Sequence, residues 1–195
     1  MDATRGRTMS FCVQYAQQLS QILAVTDWSP VEALAEDCRR LIIEGKRLYI
    51  CGNGGSAGNA IHLANDYLYG VSPIDAKAIK VEALSANSAV LTCLGNDLGY
   101  EHIFSWQLKV KAEPGDVLVV LSGSGNSVNI LNALEEAKAK GMKSYAILGY
   151  QGGKAKALAD VPIHFPIDDM QISEDLQLVV GHMLMRLLND GSHKC

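Results

Sequence analysis

Five short apolar runs punctuate the chain, and a helical pattern follows most of them. The runs are Arg47–Cys51 (RLYIC), Ala78–Ala83, Val117–Ser122 (VLVVLS), Ser144–Gly149 and Val161–Phe165. Short apolar runs alternating with helices imply strands covered on both faces, which is the habit of parallel strands wrapped by helices. Helical patterns lie near residues 56–69, 87–95, 100–110, 127–140, 153–159 and 172–190. The expected fold is therefore α/β, a doubly wound parallel five-stranded sheet. Ligands of such folds bind beyond the carboxyl ends of the strands. The chemistry belongs in the loops after Cys51 and after Leu121.

A helical hairpin precedes the first strand. Phe11, Tyr15, Leu19, Ile22 and Leu23 recur at helical spacing, and Trp28-Ser29-Pro30 breaks the pattern. Ser29 reads as an N-cap with Pro30 at the first helical position. Val31, Leu34, Cys38, Leu41 and Ile42 line a second helix that stops near Gly45. This hairpin packs against another subunit or covers one face of the sheet. The 195 residues suit one domain, here 8–190, between an N-terminal tail 1–7 and a C-terminal tail 191–195.

Composition closes several alternatives. With 48% apolar and 19% charged residues the chain is globular, not disordered. A net charge of −4 gives no generic basic surface for nucleic acid or anionic membrane. No apolar stretch is long enough to span a bilayer, and the N-terminus lacks the apolar run of a signal peptide, so a cytoplasmic location is expected. Cys12, Cys38, Cys51, Cys93 and Cys195 are scattered, with no CxxC, which suits reduced thiols better than disulfides.

The two loops carry the distinctive chemistry. After VLVVL comes Ser122-Gly123-Ser124-Gly125-Asn126-Ser127, then a helix. Glycines admit an anion close to the backbone, and three hydroxyls with the helix-start N–H groups can donate to phosphate oxygens. No Lys follows as in a nucleotide P-loop, and the spacing is not that of a dinucleotide site. Hydroxyls without lysine suit one phosphate monoester. The alternative is a Ser/Gly turn whose Ser caps the next helix. The other loop, Cys51-Gly52-Asn53-Gly54-Gly55-Ser56, also leads a strand into a helix. Asn53 and Ser56 can point polar groups at a substrate hydroxyl or phosphate.

CGNGGSAGNAIHLAND, LGNDLGYEHIFSWQL and EPGDVLVVLSGSGNSVNILNALEEAKAKGM together resemble the sugar isomerase (SIS) domain proteins, and among them the bacterial phosphoheptose isomerases, over residues 8 to 190. The resemblance implies a doubly wound homotetramer with sites between subunits, aldose–ketose isomerisation through an enediol, and in some members zinc. It places Ser56 at the first substrate-contacting Ser, and Asn53, Gly54, Asn96 and Asp97 at loop positions of the substrate site. Ser122, Ser124 and Ser127 match the phosphate-binding hydroxyls, with Gly123 where Thr is usual. His62 matches a metal ligand, Asp66 stands where the family carries its catalytic Glu, Glu174 where it usually has Gln, and His182 at its catalytic His. Gly70 replaces an Arg, and Gln171 and Ser173 alter the stretch before the last helix.

Spacing adds an independent view of the same residues. His62 and Asp66, four apart, share one face of a helix that starts just after the GNGGS loop. Glu174 and His182 lie eight apart, which is about 12 Å of rise and about 80° of turn beyond two full turns, awkward for one metal on a straight helix. An irregular helix start or a site built from different subunits would reconcile them, and the family's interfacial sites favour the second. Two His and two carboxylates (His62, Asp66, Glu174, His182) suit zinc or another divalent first-row metal. Each also has a plainer role, His182 in the core or Asp66 as a solvated helix charge. His102, His164 and His193 read as structural.

The implied reaction moves a proton between C1 and C2 of an open-chain sugar, with Asp66 as base and His182 as acid, and the phosphate supplying remote binding energy. The leading reading is sedoheptulose 7-phosphate to D-glycero-D-manno-heptose 7-phosphate. Hexose or pentose phosphates remain open. So does a non-catalytic protein that binds sugar phosphate or the bacterial replication initiator, although such relatives tend to lose the carboxylate or the final His.

Overall fold

The computed structural model describes residues 9–72 and 77–189. A five-stranded, wholly parallel sheet runs β1 Arg47–Gly52, β2 Lys80–Ala83, β3 Val117–Ser122, β4 Lys143–Leu148 and β5 Val161–His164, in the order β2-β1-β3-β4-β5. The helices are α1 Phe11–Val25, α2 Ser29–Glu44, α3 Gly55–Asn65, α4 Ser88–Asp97, α5 Ser105–Lys111, α6 Val128–Ala139, α7 Ala155–Leu158 and α8 Met170–Asn189. The expected doubly wound α/β fold is the observed one. No helix among the described residues is long and apolar enough to cross a membrane. The tails 1–7 and 191–195, with Cys195 and His193, lie outside the described residues.

Alternation along each strand feeds two cores. Leu48 and Ile50 of β1, with Val117, Val119 and Leu121 of β3, face a layer containing α2, α3 and α8. Tyr49, Cys51, Leu118 and Val120 face the layer of α4 to α7. This period of two is what a sheet covered on both sides requires. The order reverses direction beside β1 and β3, and that reversal opens a crevice above their carboxyl ends.

The hairpin divides the two expectations between its halves. Val31, Leu34, Ala35, Cys38 and Leu41 bury α2 on the sheet, and Gly45 ends it in the left-handed conformation. In α1 the buried apolar residue is Ile22, while Phe11, Val13 and Val25 are exposed. The Tyr15 hydroxyl ties α1 to α8 by donating to Asp175 at 2.6 Å. Burial and that carboxylate push Tyr15 up to about 12. The start of α2 differs from expectation: Ser29 is its first residue, and Asp27 accepts the Ser29 N–H at 3.0 Å and hydroxyl at 2.9 Å. A carboxylate two residues upstream reaches the free N–H, so Ser29 does not serve as the cap.

Candidate active site

The two turns leave adjacent rungs of one ladder, because Gly52 of β1 pairs with Leu121 of β3. Each leads into a helix that lacks a side-chain cap. Gly54 stands at the N-cap of α3 with φ 56° and ψ −123°, a conformation that side chains resist. Ser127 stands at the N-cap of α6, yet its hydroxyl makes no capping bond. The capping alternative for Ser127 therefore does not hold, and that hydroxyl is left for a ligand. Two uncapped helix starts facing one crevice suit an anion.

A cavity of about 270 Å³ fills the space between the turns. From the first turn Asn53, Gly54 and Ser56 line it; from the second, Ser122, Gly123, Ser124 and Ser127 do. Ser122 Oγ accepts the Gly125 N–H at 3.1 Å, and Ser124 Oγ accepts that of Asn126 at 3.3 Å. Both hydroxyl oxygens thus accept from the loop, and each hydroxyl hydrogen stays available to donate. Met170 and Glu174 of α8 close the cavity. A Cβ at Gly123 would stand 2.7 Å from Met170 Sδ, so the methionine takes the room a larger residue would need.

Beyond the first turn of α3, its later residues meet α8. His62 Nε2 is 3.1 Å from His182 Nε2, and Asp66 Oδ2 is 3.4 Å from the first and 3.5 Å from the second. Asp66 opens a π-helical turn, Asp66–Gly70, that continues α3. Such wide turns often occur where a helix serves a site. Gly181 lets α8 approach: a Cβ there would collide with the Leu63 side chain. Tyr67, fully buried and pushed well above its ordinary pKa by that burial, donates from its hydroxyl to the Gly181 carbonyl at 3.1 Å.

These three side chains fit a metal. Among the described residues, His62, Asp66 and His182 are the His/Cys/Asp/Glu group placed to hold one. A tetrahedral zinc at about 2.0–2.1 Å from its ligands sets them about 3.3 Å apart, and the observed edges of 3.1, 3.4 and 3.5 Å match. Glu174, expected in the same set, stands elsewhere in the chain. Its carboxylate lies over Gly55 in the cavity, as eight residues of uninterrupted α8 dictate.

Other expectations fall outside the cavity. Asn96 and Asp97 sit exposed at the end of α4, bonded to each other at 2.8 Å, with Cys93 Sγ 3.5 Å from Asp97. His164 bonds the Tyr150 carbonyl and Lys156, and His102 lies in a short 3₁₀ turn; neither lines the cavity. Two further residues, with no motif to mark them, back the first turn. Buried Gln177 donates to Ser56 Oγ at 3.0 Å, and buried Asn129 pairs with Asn53. Gln177 follows Glu174 by three on α8, a helical spacing that could have signalled it.

The SIS domain family matches residues 11–149. The phosphoheptose isomerase of Akkermansia muciniphila is 39% identical over 158 residues, 81% of this chain and 83% of its own. That of Rhodospirillum rubrum is 41% identical over 151 residues, 75% of this chain and 78% of its own. The solved phosphoheptose isomerase of Neisseria gonorrhoeae superposes with a TM-score of 0.79 at 29% identity, covering 91% of this chain and 92% of that one.

Proposed function

Since the chain belongs to the SIS domain family, within its phosphoheptose isomerase branch, we propose that it converts sedoheptulose 7-phosphate to D-glycero-D-manno-heptose 7-phosphate through an enediol. The observation that carries this reading is the course of α3. It begins in the phosphate-sized cavity with Ser56 and presents His62 and Asp66 within the following three turns. One helix therefore links the cavity, through Ser56, to the proposed base Asp66, and α8 brings the proposed acid His182 against it.

The phosphate docks on the Ser122, Ser124 and Ser127 hydroxyls and the two helix starts, and its binding energy holds the reacting carbons in place. Asp66 takes a proton from C1 of the open-chain ketose while His182 protonates O2, giving the enediol. Return of a proton to C2 and loss of the O1 hydrogen complete the aldose. Asp66 Oδ2 is turned to the histidines, and Oδ1, which accepts a long 3.4 Å bond from Asn65 Nδ2, is the oxygen offered to C1. His62, Asp66 and His182 would hold zinc, which when bound would polarise the sugar carbonyl and stabilise negative charge on the enediolate oxygens; a zinc-bound Nε2 carries no proton, so His182 acts as the acid in the metal-free site. The carboxylate and the final imidazole, both retained, favour the enzyme over a non-catalytic relative.

The functional unit in this reading is a homotetramer with its sites between subunits. Support comes from exposed apolar residues on both sides of the site, Ile61, Leu68 and Tyr69 near the α3 end and Met183 on α8. The side chains of His62 and His182 are 48% and 51% exposed, open to cover from a neighbour. Free thiols at Cys12, Cys38, Cys51 and Cys93 agree with a cytoplasmic setting.

The deciding experiment offers purified protein a panel of five- to seven-carbon ketose phosphates, with and without added zinc. Sedoheptulose 7-phosphate turns over best, and zinc raises the rate. Failure to isomerise any member overturns the assignment.

A further inference from the structure

The two polar side chains of the first turn are each held from behind by a buried amide. We propose that Asn129 and Gln177 are positioning residues that make Asn53 and Ser56 hydrogen donors toward the sugar phosphate. This rests on the isomerase reading above for the identity of the ligand.

Asn53 and Asn129 exchange two hydrogen bonds across the two turns. Asn53 Nδ2 donates to Asn129 Oδ1 at 2.9 Å, and Asn129 Nδ2 donates to Asn53 Oδ1 at 2.8 Å. The Tyr100 hydroxyl adds a second donor to Asn53 Oδ1 at 2.9 Å. Both lone pairs of that oxygen are engaged, so what Asn53 has left for a ligand is its second Nδ2 hydrogen. Turning the Asn53 amide over alone would set NH₂ against NH₂ and oxygen against oxygen. Asn129 is 2% exposed, and no water would replace the lost partners. Turning both amides together would offer an acceptor instead, which phosphate oxygens and a sugar carbonyl cannot use.

Ser56 repeats the arrangement. Asn59 Nδ2 donates to Gln177 Oε1 at 2.9 Å, and that bond fixes which end of the Gln177 amide faces Ser56. Gln177 Nε2 then donates to Ser56 Oγ at 3.0 Å. With its oxygen already accepting, the Ser56 hydroxyl keeps its hydrogen for the cavity. Gln177 is 1% exposed, so its amide too has no solvent to turn toward. One turn is thereby set from α6 and from α8 as an all-donor surface.

The test is a pair of double-mutant cycles in the intact protein, Asn129→Ala with Asn53→Ala, and Gln177→Leu with Ser56→Ala. Each is read both as kcat/KM and as the Kd of sedoheptulose 7-phosphate by calorimetry. Removing either buried amide from the wild type costs about tenfold to hundredfold. The same change costs no more than about twofold once its partner is gone. Equal losses in both backgrounds overturn the proposal, as does no loss in the wild type. Should Asn129→Ala fail to fold, the exposed Tyr100→Phe replaces it in the cycle, with a loss that again vanishes in the Asn53→Ala background. Coupling in Kd without any turnover supports the proposal and defeats the isomerase reading; turnover without coupling does the reverse.

Discussion

The Leu63 side chain packs against the α8 backbone at Gly181, in the space a Cβ at that position would fill. These two residues stand beside His62 and His182, so their contact sets how near the imidazoles come. Gly181→Ala should push the helices apart and destabilise the fold by about 1–3 kcal/mol. Urea denaturation measures the loss. Zinc titration should show weaker binding in the same variant, whereas unchanged zinc affinity would separate the contact from the site.

Asp66→Asn and His182→Ala should each lower kcat by about 10²- to 10⁴-fold while sugar-phosphate binding persists. Steady-state kinetics paired with calorimetry checks this. Full activity in both variants would end the acid/base assignment.

Ser127→Ala and Ser122→Ala should part company. The Ser127 hydroxyl caps nothing, so its removal should cut kcat/KM about tenfold or more with the melting temperature unchanged. Ser122 Oγ also holds the Gly125 N–H, and its loss should lower both. Thermal melts beside kinetics distinguish the two.

Asp37 gives a pH signature. Burial alone would raise its carboxyl, but hydrogen bonds from Lys143 and Tyr145, with the charges of Lys143 and Arg40, hold it below the ordinary value. A carboxyl with a lower pKa folded than unfolded lends stability above the unfolded value and loses it as pH falls through the folded one. The wild type should therefore exceed Asp37→Asn in stability at pH 7, and the gap should close as pH falls below about 4. Urea midpoints measured from pH 7 to pH 3 read this directly.

Strand patterning was the most legible part of the fold. VLVVLS occupies the strand the sequence indicates, since five consecutive apolar residues must be covered on both sides. Ala78 reads as strand but the ladder starts at Lys80, because pairing with Arg47 and not hydropathy decides the end. The π turn at Asp66 leaves no trace in an apolar pattern that runs on through residue 69. In the site, glycines and hydroxyls revealed the anion cradle. Asn129 has no periodic signature as a single amide among apolar residues, and only its partner, 76 residues away, gives it meaning, whereas Gln177 follows Glu174 by one helical step.

Gly52 and Leu121 are partners in the sheet, so the two turns inherit their separation from the strand ladder. Neighbouring strands stand about 4.8 Å apart whatever sequence follows them. Descendants of this chain could therefore rewrite either turn, and with it the preferred sugar, without re-engineering the span across which the phosphate is gripped. Evolution would find new specificities here by editing loops on a fixed gauge.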